Sequence, residues 1–184
     1  MRFALALAAL TLAACASTPS IPMRPLAPAG DAPFAIDGRL SVKHGSEALA
    51  ANFSWRHAPP RDDLVLSTPL GQALAEIAAD ASVPRYEWRG AEGRREEARD
   101  WAGLTERALG TPLPVDGLAA WIKGSPHAGS PHSIEPDALG RAAVLRQDGW
   151  EIVYAYADAN ASVPARMQLS RFDVEVRIVV LERR

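Results

Sequence analysis

Strict alternation of apolar with polar or small residues, carried through both halves of the chain, confines this protein to an antiparallel sheet. Phe34, Ile36, Gly38, Leu40 and Val42 hold every second position of one segment, and Leu49, Ala51, Phe53 and Trp55 hold every second position of the next. Successive side chains of a strand point to opposite faces, so a period of two with one apolar face describes half-buried antiparallel strands. His44-Gly45-Ser46 supplies a hairpin connection between the two segments. Residues 63–68 and 72–79 read as third and fourth strands, separated by Pro69-Leu70-Gly71. Later in the chain, Ala142, Val144 and Arg146 lead into Asp148-Gly149, a strong hairpin turn, after which Trp150, Ile152, Tyr154 and Tyr156 alternate. Met167 and Leu169, then Val174, Val176, Ile178 and Val180, complete the pattern, with Arg171-Phe172-Asp173 turning the last hairpin.

Helical spacing interrupts this pattern in the middle. Residues 96–109 place Trp101, Leu104, Ala108 and Leu109 on one face, with Glu96, Glu97, Arg99, Asp100 and Glu106 largely elsewhere and Gly110 suited to the C′ position. A second, shorter helix starts at Pro114, carries the stripe Leu118, Trp121 and Ile122, and ends at Gly124. Three prolines and a glycine make residues 125–136 a loop. Roughly eight strands with two helices inserted midway predict an α+β domain: an antiparallel curled sheet or incomplete β-barrel, with helices covering one opening. Trp55, Trp121 and Trp150, three of five tryptophans, fall on inward positions. Such rings either line an apolar ligand cavity or simply fill a core, and period two alone does not decide between them.

The amino terminus has a different grammar. Arg2 precedes an apolar run from Phe3 to Ala14, the length of a signal-peptide h-region and too short to span roughly 30 Å of hydrocarbon. Leu12-Ala13-Ala14-Cys15 closes it, and the chain's one cysteine at that place resembles the lipobox of bacterial lipoproteins. The resemblance implies cleavage before Cys15 and acylation of Cys15; an ordinary secretory signal is the alternative. In the lipoproteins this segment resembles, Asp after the acylated cysteine favours retention in the inner membrane, so the resemblance with Ala16 at that place implies sorting to the outer membrane. Pro19, Pro22, Pro25, Pro28 and Pro33 make the following stretch an extended tether or an arm packed on the domain. The expected division is a signal peptide at 1–14, an acylated Cys15 with its tether at 15–33, and a folded domain at 34–184.

Composition removes several classes of function. With 20 basic and 22 acidic residues, the net charge of −2 offers no footprint for nucleic acid. His127 and His132 share a proline-rich loop without acidic or cysteine residues at ligand spacing, which reads as surface loop rather than metal site. There is no Gly-x-Ser-x-Gly elbow and no glycine-rich phosphate loop, so neither an enzyme nor a cofactor is expected.

Five short motifs then occur in order: Phe34-x-x-x-Gly38-Arg39-Leu40-x-Val42, Asn52-Phe53-x-Trp55, Leu66-x-x-Pro69-Leu70-Gly71, Pro114-x-x-x-Leu118-x-x-Trp121-Ile122-x-Gly124, and Asp148-Gly149-Trp150-x-Ile152-x-Tyr154. Together, behind a lipobox, they resemble the outer-membrane lipoprotein receptor family LolB. One departure is Val180-Leu181 in the last strand, where the family pattern has a tryptophan. The resemblance implies an incomplete barrel around an apolar cavity that takes acylated lipoproteins from a soluble periplasmic carrier, LolA. Delivery is into the inner leaflet of the outer membrane, and a lipid-anchored monomer on its periplasmic face is expected. It implies a protruding loop at Pro69, Leu70 and Gly71 whose leucine helps cargo into the membrane; a leucine folded back as a core plug is the alternative. Alternation and motif together nominate Phe53, Trp55, Trp121, Trp150, Ile152, Tyr154 and Met167 for the acyl-chain cavity. A carrier of another lipid, or a scaffold lipoprotein of an outer-membrane complex, remains the competing reading.

Overall fold

The computed structural model describes residues 32–83, 85–90, 93–109 and 115–184. The signal peptide, Cys15, nearly all of the tether, Gly110 and Pro114 lie outside the described residues. The first half of the domain is a run of hairpins: β1 (Phe34–His44), β2 (Glu47–Ala58), β3 (Arg61–Ser67), β4 (Ala73–Asp80), β5 (Arg85–Gly90) and β6 (Arg95–Ala98). Two helices follow, α1 (Trp101–Leu109) and α2 (Val115–Trp121), and then β7 (His132–Pro136), β8 (Ala142–Gln147), β9 (Trp150–Ala155), β10 (Arg166–Arg171) and β11 (Val174–Arg183).

All eleven strands join one antiparallel sheet in the order β6-β5-β4-β3-β2-β1-β11-β10-β9-β8-β7. The first and last strands of the chain meet at its centre, where Leu40 of β1 pairs with Ala51 on one side and Ile178 on the other. Strands β6 and β7 are the two edges and do not pair with each other, so the sheet stays open. The chain passes from one edge to the other through α1 and α2. Helix α1 packs against β5, β6 and α2. At the centre, the register slips at Asp37/Gly38, and a Cβ on Gly38 would lie 2.3 Å from the Val179 carbonyl oxygen and 2.7 Å from the Phe53 ring. Glycine lets that ring cross the strand closely.

Three expectations need correction. Residues 96–98, expected to open a helix, belong to β6 instead. The helix begins later because Asp100 caps it: its carboxylate accepts the Gly103 N–H at 2.7 Å, and its carbonyl accepts the Leu104 N–H at 3.1 Å. Strand β5 was not expected because Tyr86, Glu87 and Trp88 are all buried and break the alternation. The 125–136 loop ends in an edge strand, β7, whose Pro136 sits at a register shift where its missing donor costs nothing.

Candidate functional site

The strand registers gather one apolar face. Phe53 and Trp55 of β2, Trp150, Ile152 and Tyr154 of β9, and Met167 and Leu169 of β10 all point into a single buried cluster. Trp121 joins them from α2, fully buried, its Nε1–H donating to Gln147 Oε1 at 2.8 Å. The seven residues nominated for an acyl-chain cavity are therefore brought together, and their side chains pack against one another and against Ile36, Leu104, Ile122 and Leu145. Surface hollows lie elsewhere: one of 260 Å³ over β3–β5 beside Glu87, and one of 370 Å³ along β7–β9 that touches only Trp150 of the seven. Sequence reasoning placed Trp101 on the apolar face of a helix but missed Tyr86 and Trp88, which join the same cluster, where Tyr86 and Trp101 meet edge-on at 5.5 Å.

Polar groups inside the cluster are few, and most are partnered. Asp62 Oδ1 accepts the Trp55 Nε1–H at 2.7 Å and lies 2.8 Å from His57 Nδ1, while Phe34 stacks on the His57 ring at 4.8 Å. Gln147 Nε2 donates to the His127 carbonyl at 2.9 Å and to Ser130 Oγ at 2.8 Å, tying the 125–131 segment down. Trp150 Nε1 and Tyr154 Oη, by contrast, have no protein hydrogen-bond partner. Burial pushes the Tyr154 hydroxyl well above the ordinary tyrosine range, so it stays a neutral donor.

Leu70 stands apart from all of this. Its loop is closed by three short bonds: the Thr68 N–H to the Gln72 carbonyl at 2.8 Å, the Gly71 N–H to the Thr68 carbonyl at 2.9 Å, and the Gln72 N–H to Thr68 Oγ1 at 3.2 Å. Gly71 adopts φ +86°, the left-handed region open to glycine, and Pro69 fixes its own φ on the other side. Between them the Leu70 side chain is 91% exposed. A second apolar tip was not foreseen. Phe172, in the β10–β11 turn, is 93% exposed and holds φ +52° without being glycine, a conformation that costs roughly 1–2 kcal/mol for a residue with a Cβ. The only signal in the sequence was an aromatic residue in a turn position that usually takes Asn, Asp or Gly.

Charge chemistry here is structural. Ser130 Oγ lies 3.5 Å from the same His127 Nε2 that contacts Asp148, so the three cannot relay a proton as a catalytic triad, which uses both ring nitrogens. Among the described residues no group of three His, Cys, Asp or Glu side chains is placed to hold a metal. Glu87, buried on β5, is opposed by burial, which pushes its pKa up, but Arg89, Arg95 and Arg85 outweigh this and hold it below the usual glutamate value.

Comparison with known proteins places the chain by fold and by family. A solved structure of a DUF1329 family protein from Desulfovibrio piger superposes with a TM-score of 0.52 over 83% of this chain and 85% of that one, at 6% identity, and so shares the architecture alone. Residues 32–182 match the family model described as "Outer membrane lipoprotein LolB". The outer-membrane lipoprotein LolB of Chromobacterium violaceum is 37% identical over 94% of this chain and 92% of its own length. That of Dechloromonas aromatica is 33% identical over 99% and 96%. The chain belongs to the LolB family of outer-membrane lipoproteins.

Proposed function

We propose that this chain accepts acylated lipoproteins from the soluble periplasmic carrier LolA and inserts them into the inner leaflet of the outer membrane. In this reading it works as a monomer without a cofactor, held on the periplasmic face by acyl chains on Cys15 at the end of the 15–33 tether. The observation that carries the reading is the Leu70 tip: a large apolar side chain displayed beyond the sheet by Pro69 and Gly71, on a domain whose inner face is predominantly apolar.

The physical task sets the requirements. At about 0.8 kcal/mol per methylene, exposing a chain of a dozen methylenes to water costs roughly 10 kcal/mol, so cargo must move along apolar surface throughout. Phe53, Trp55, Trp121, Trp150, Ile152, Tyr154 and Met167 supply that surface, and because β6 and β7 do not bond to each other the sheet can spread to admit a chain without breaking a ladder. A bilayer is a deeper sink for acyl chains than a protein interior, so release runs downhill and no nucleotide is needed. Leu70 bridges the last gap by entering the lipid surface ahead of the cargo.

Leu70→Glu tests this. Uptake from the carrier and the melting temperature stay at the wild-type level, while delivery of a purified acylated lipoprotein into phospholipid vesicles falls at least tenfold. Normal delivery by the folded variant sinks the role of Leu70. A wild-type protein that takes free lipid but leaves the carrier loaded would identify a carrier of another lipid instead, and one that does neither would identify a scaffold.

A further inference from the structure

We propose that Phe172 is a second membrane-inserting residue, so that the protein meets the lipid surface at two points, Leu70 and Phe172, on one end of its sheet. The proposal rests on the membrane role given to Leu70 above.

Topology places the two residues. Antiparallel neighbours reverse direction, so the β1–β2, β3–β4, β8–β9 and β10–β11 turns all leave the same end of the sheet. His44 pairs with both Glu47 and Val174, which sets the Gly45-Ser46 and Phe172-Asp173 turns side by side. The Gly45 N–H donates to the Asp173 carbonyl at 3.4 Å, and His44 Nε2 lies 3.4 Å from the Asp173 carboxylate. On the other flank, Ser170 pairs with Glu151, bringing the Asp148-Gly149 turn alongside. The β3–β4 tip lies four strand spacings away, roughly 19 Å measured along the sheet. Val83 and Leu139, apolar residues of turns at the opposite end, are less exposed, at 59% and 49%.

Two independent observations set Phe172 apart from an incidental surface residue. It occupies a left-handed conformation that the adjacent turns assign to Gly45, Asp148 and Gly149, residue types that adopt it readily. It also gains almost no burial in return, and the Arg171 guanidinium lies 5.4 Å from its ring centre. A strained backbone that holds an aromatic ring out into solvent contributes nothing to this fold, and strain of that kind points to function. The partner it fits is a phospholipid surface. An exposed ring enters the interfacial zone, and the arginine beside it remains at the level of the phosphates. Two acidic groups of the adjoining turns are each engaged by a histidine: Asp173 lies 3.4 Å from His44 Nε2, and Asp148 contacts His127 Nε2.

The experiment uses the full acylated chain in vesicles of phosphatidylethanolamine and phosphatidylglycerol. Because Cys15 is the chain's one cysteine and is blocked by lipid in this reading, Phe172→Cys, Leu70→Cys and Val83→Cys each offer a single thiol for an environment-sensitive fluorophore. Probes at 172 and 70 shift to the blue and are quenched by brominated acyl chains, while the probe at 83 keeps its emission in water. A probe at 172 that stays in water while the one at 70 is quenched overturns this inference alone; if both stay in water, the role of Leu70 falls with it. A probe at 172 that responds only to the soluble carrier, without vesicles, also overturns the inference, because it identifies a protein-docking point. Separately, Phe172→Asn relaxes the turn: its melting temperature equals or exceeds that of the wild type, and its delivery of cargo to vesicles drops at least threefold. Unchanged delivery overturns the inference.

Discussion

The inner face and the turn end of this sheet present the same kinds of side chain under opposite conditions. Trp121 is fully buried among other rings and hydrogen-bonded to Gln147, whereas Leu70 and Phe172 stand 91% and 93% exposed. Burial makes the first group responsible for stability, and exposure frees the second group from it. The fold can therefore lose a tip without unfolding, and activity can be lost at a tip while the core is intact. The largest effect that tests this separation is Trp121→Ala, which should destabilise the domain by about 3–5 kcal/mol. It removes the indole from the centre of the cluster and takes from Gln147 Oε1 one of its two donors, the other being the His127 N–H at 3.0 Å, so thermal or urea unfolding should show a large loss that comes mainly from the cavity. A loss near zero would mean that α2 contributes no more to stability than the tips do.

How much of this contrast could be read beforehand depended on how cleanly each element kept its period. Strands β1, β2, β9 and β11 have one buried face each, and the Asp148-Gly149 turn has the left-handed backbone that its residues favour, so all were legible. The β5 strand was not, because the burial of Glu87 makes sense only when Arg85, Arg89 and Arg95 are known to surround it, and Arg95 arrives from the neighbouring strand. Glu96 and Glu97 read as the first turn of a helix because a four-residue strand is too short to establish a period, while the true start was marked by the Asp100 cap. At the tips, Pro69 and Gly71 announced Leu70 by restricting and freeing the backbone on either side of it. Phe172 has no such flanks. Its exposure follows from the register of β1, β10 and β11, which no local pattern reveals.

Glu87 gives an intermediate and conditional effect that sharpens the comparison, since it is a charge held on the scaffold rather than at a tip. Burial raises its pKa, but the arginines around it prevail and the folded-state carboxyl titrates below the usual glutamate value of 4.5. Its contribution to stability is thus complete above 4.5 and is lost as the pH falls through the lower folded value. Glu87→Gln should be less stable than the wild type at neutral pH, and the gap measured by denaturant unfolding should close progressively below that point. A gap that stays constant down to strongly acidic pH would show that the carboxylate is not what the arginines stabilise.

The smallest effect is expected where an interior residue behaves as though it were at a tip. Tyr154 is buried, but its hydroxyl has no protein partner, so the ring belongs to the core and the oxygen does not. Tyr154→Phe keeps the ring and removes only the oxygen. Its stability should stay within about 1 kcal/mol of the wild type, with a gain more consistent with the structure than a loss, because an unmatched buried donor is itself unfavourable. Under the function proposed above, the same substitution bears on cargo binding, since ester and amide carbonyls on an incoming lipid would be acceptors for a buried hydroxyl. Unfolding curves and transfer assays on Tyr154→Phe therefore divide the inner face into what holds the sheet together and what is left over for a guest: unchanged stability with weakened uptake assigns the hydroxyl to the guest, and a loss of several kcal/mol assigns it to the fold.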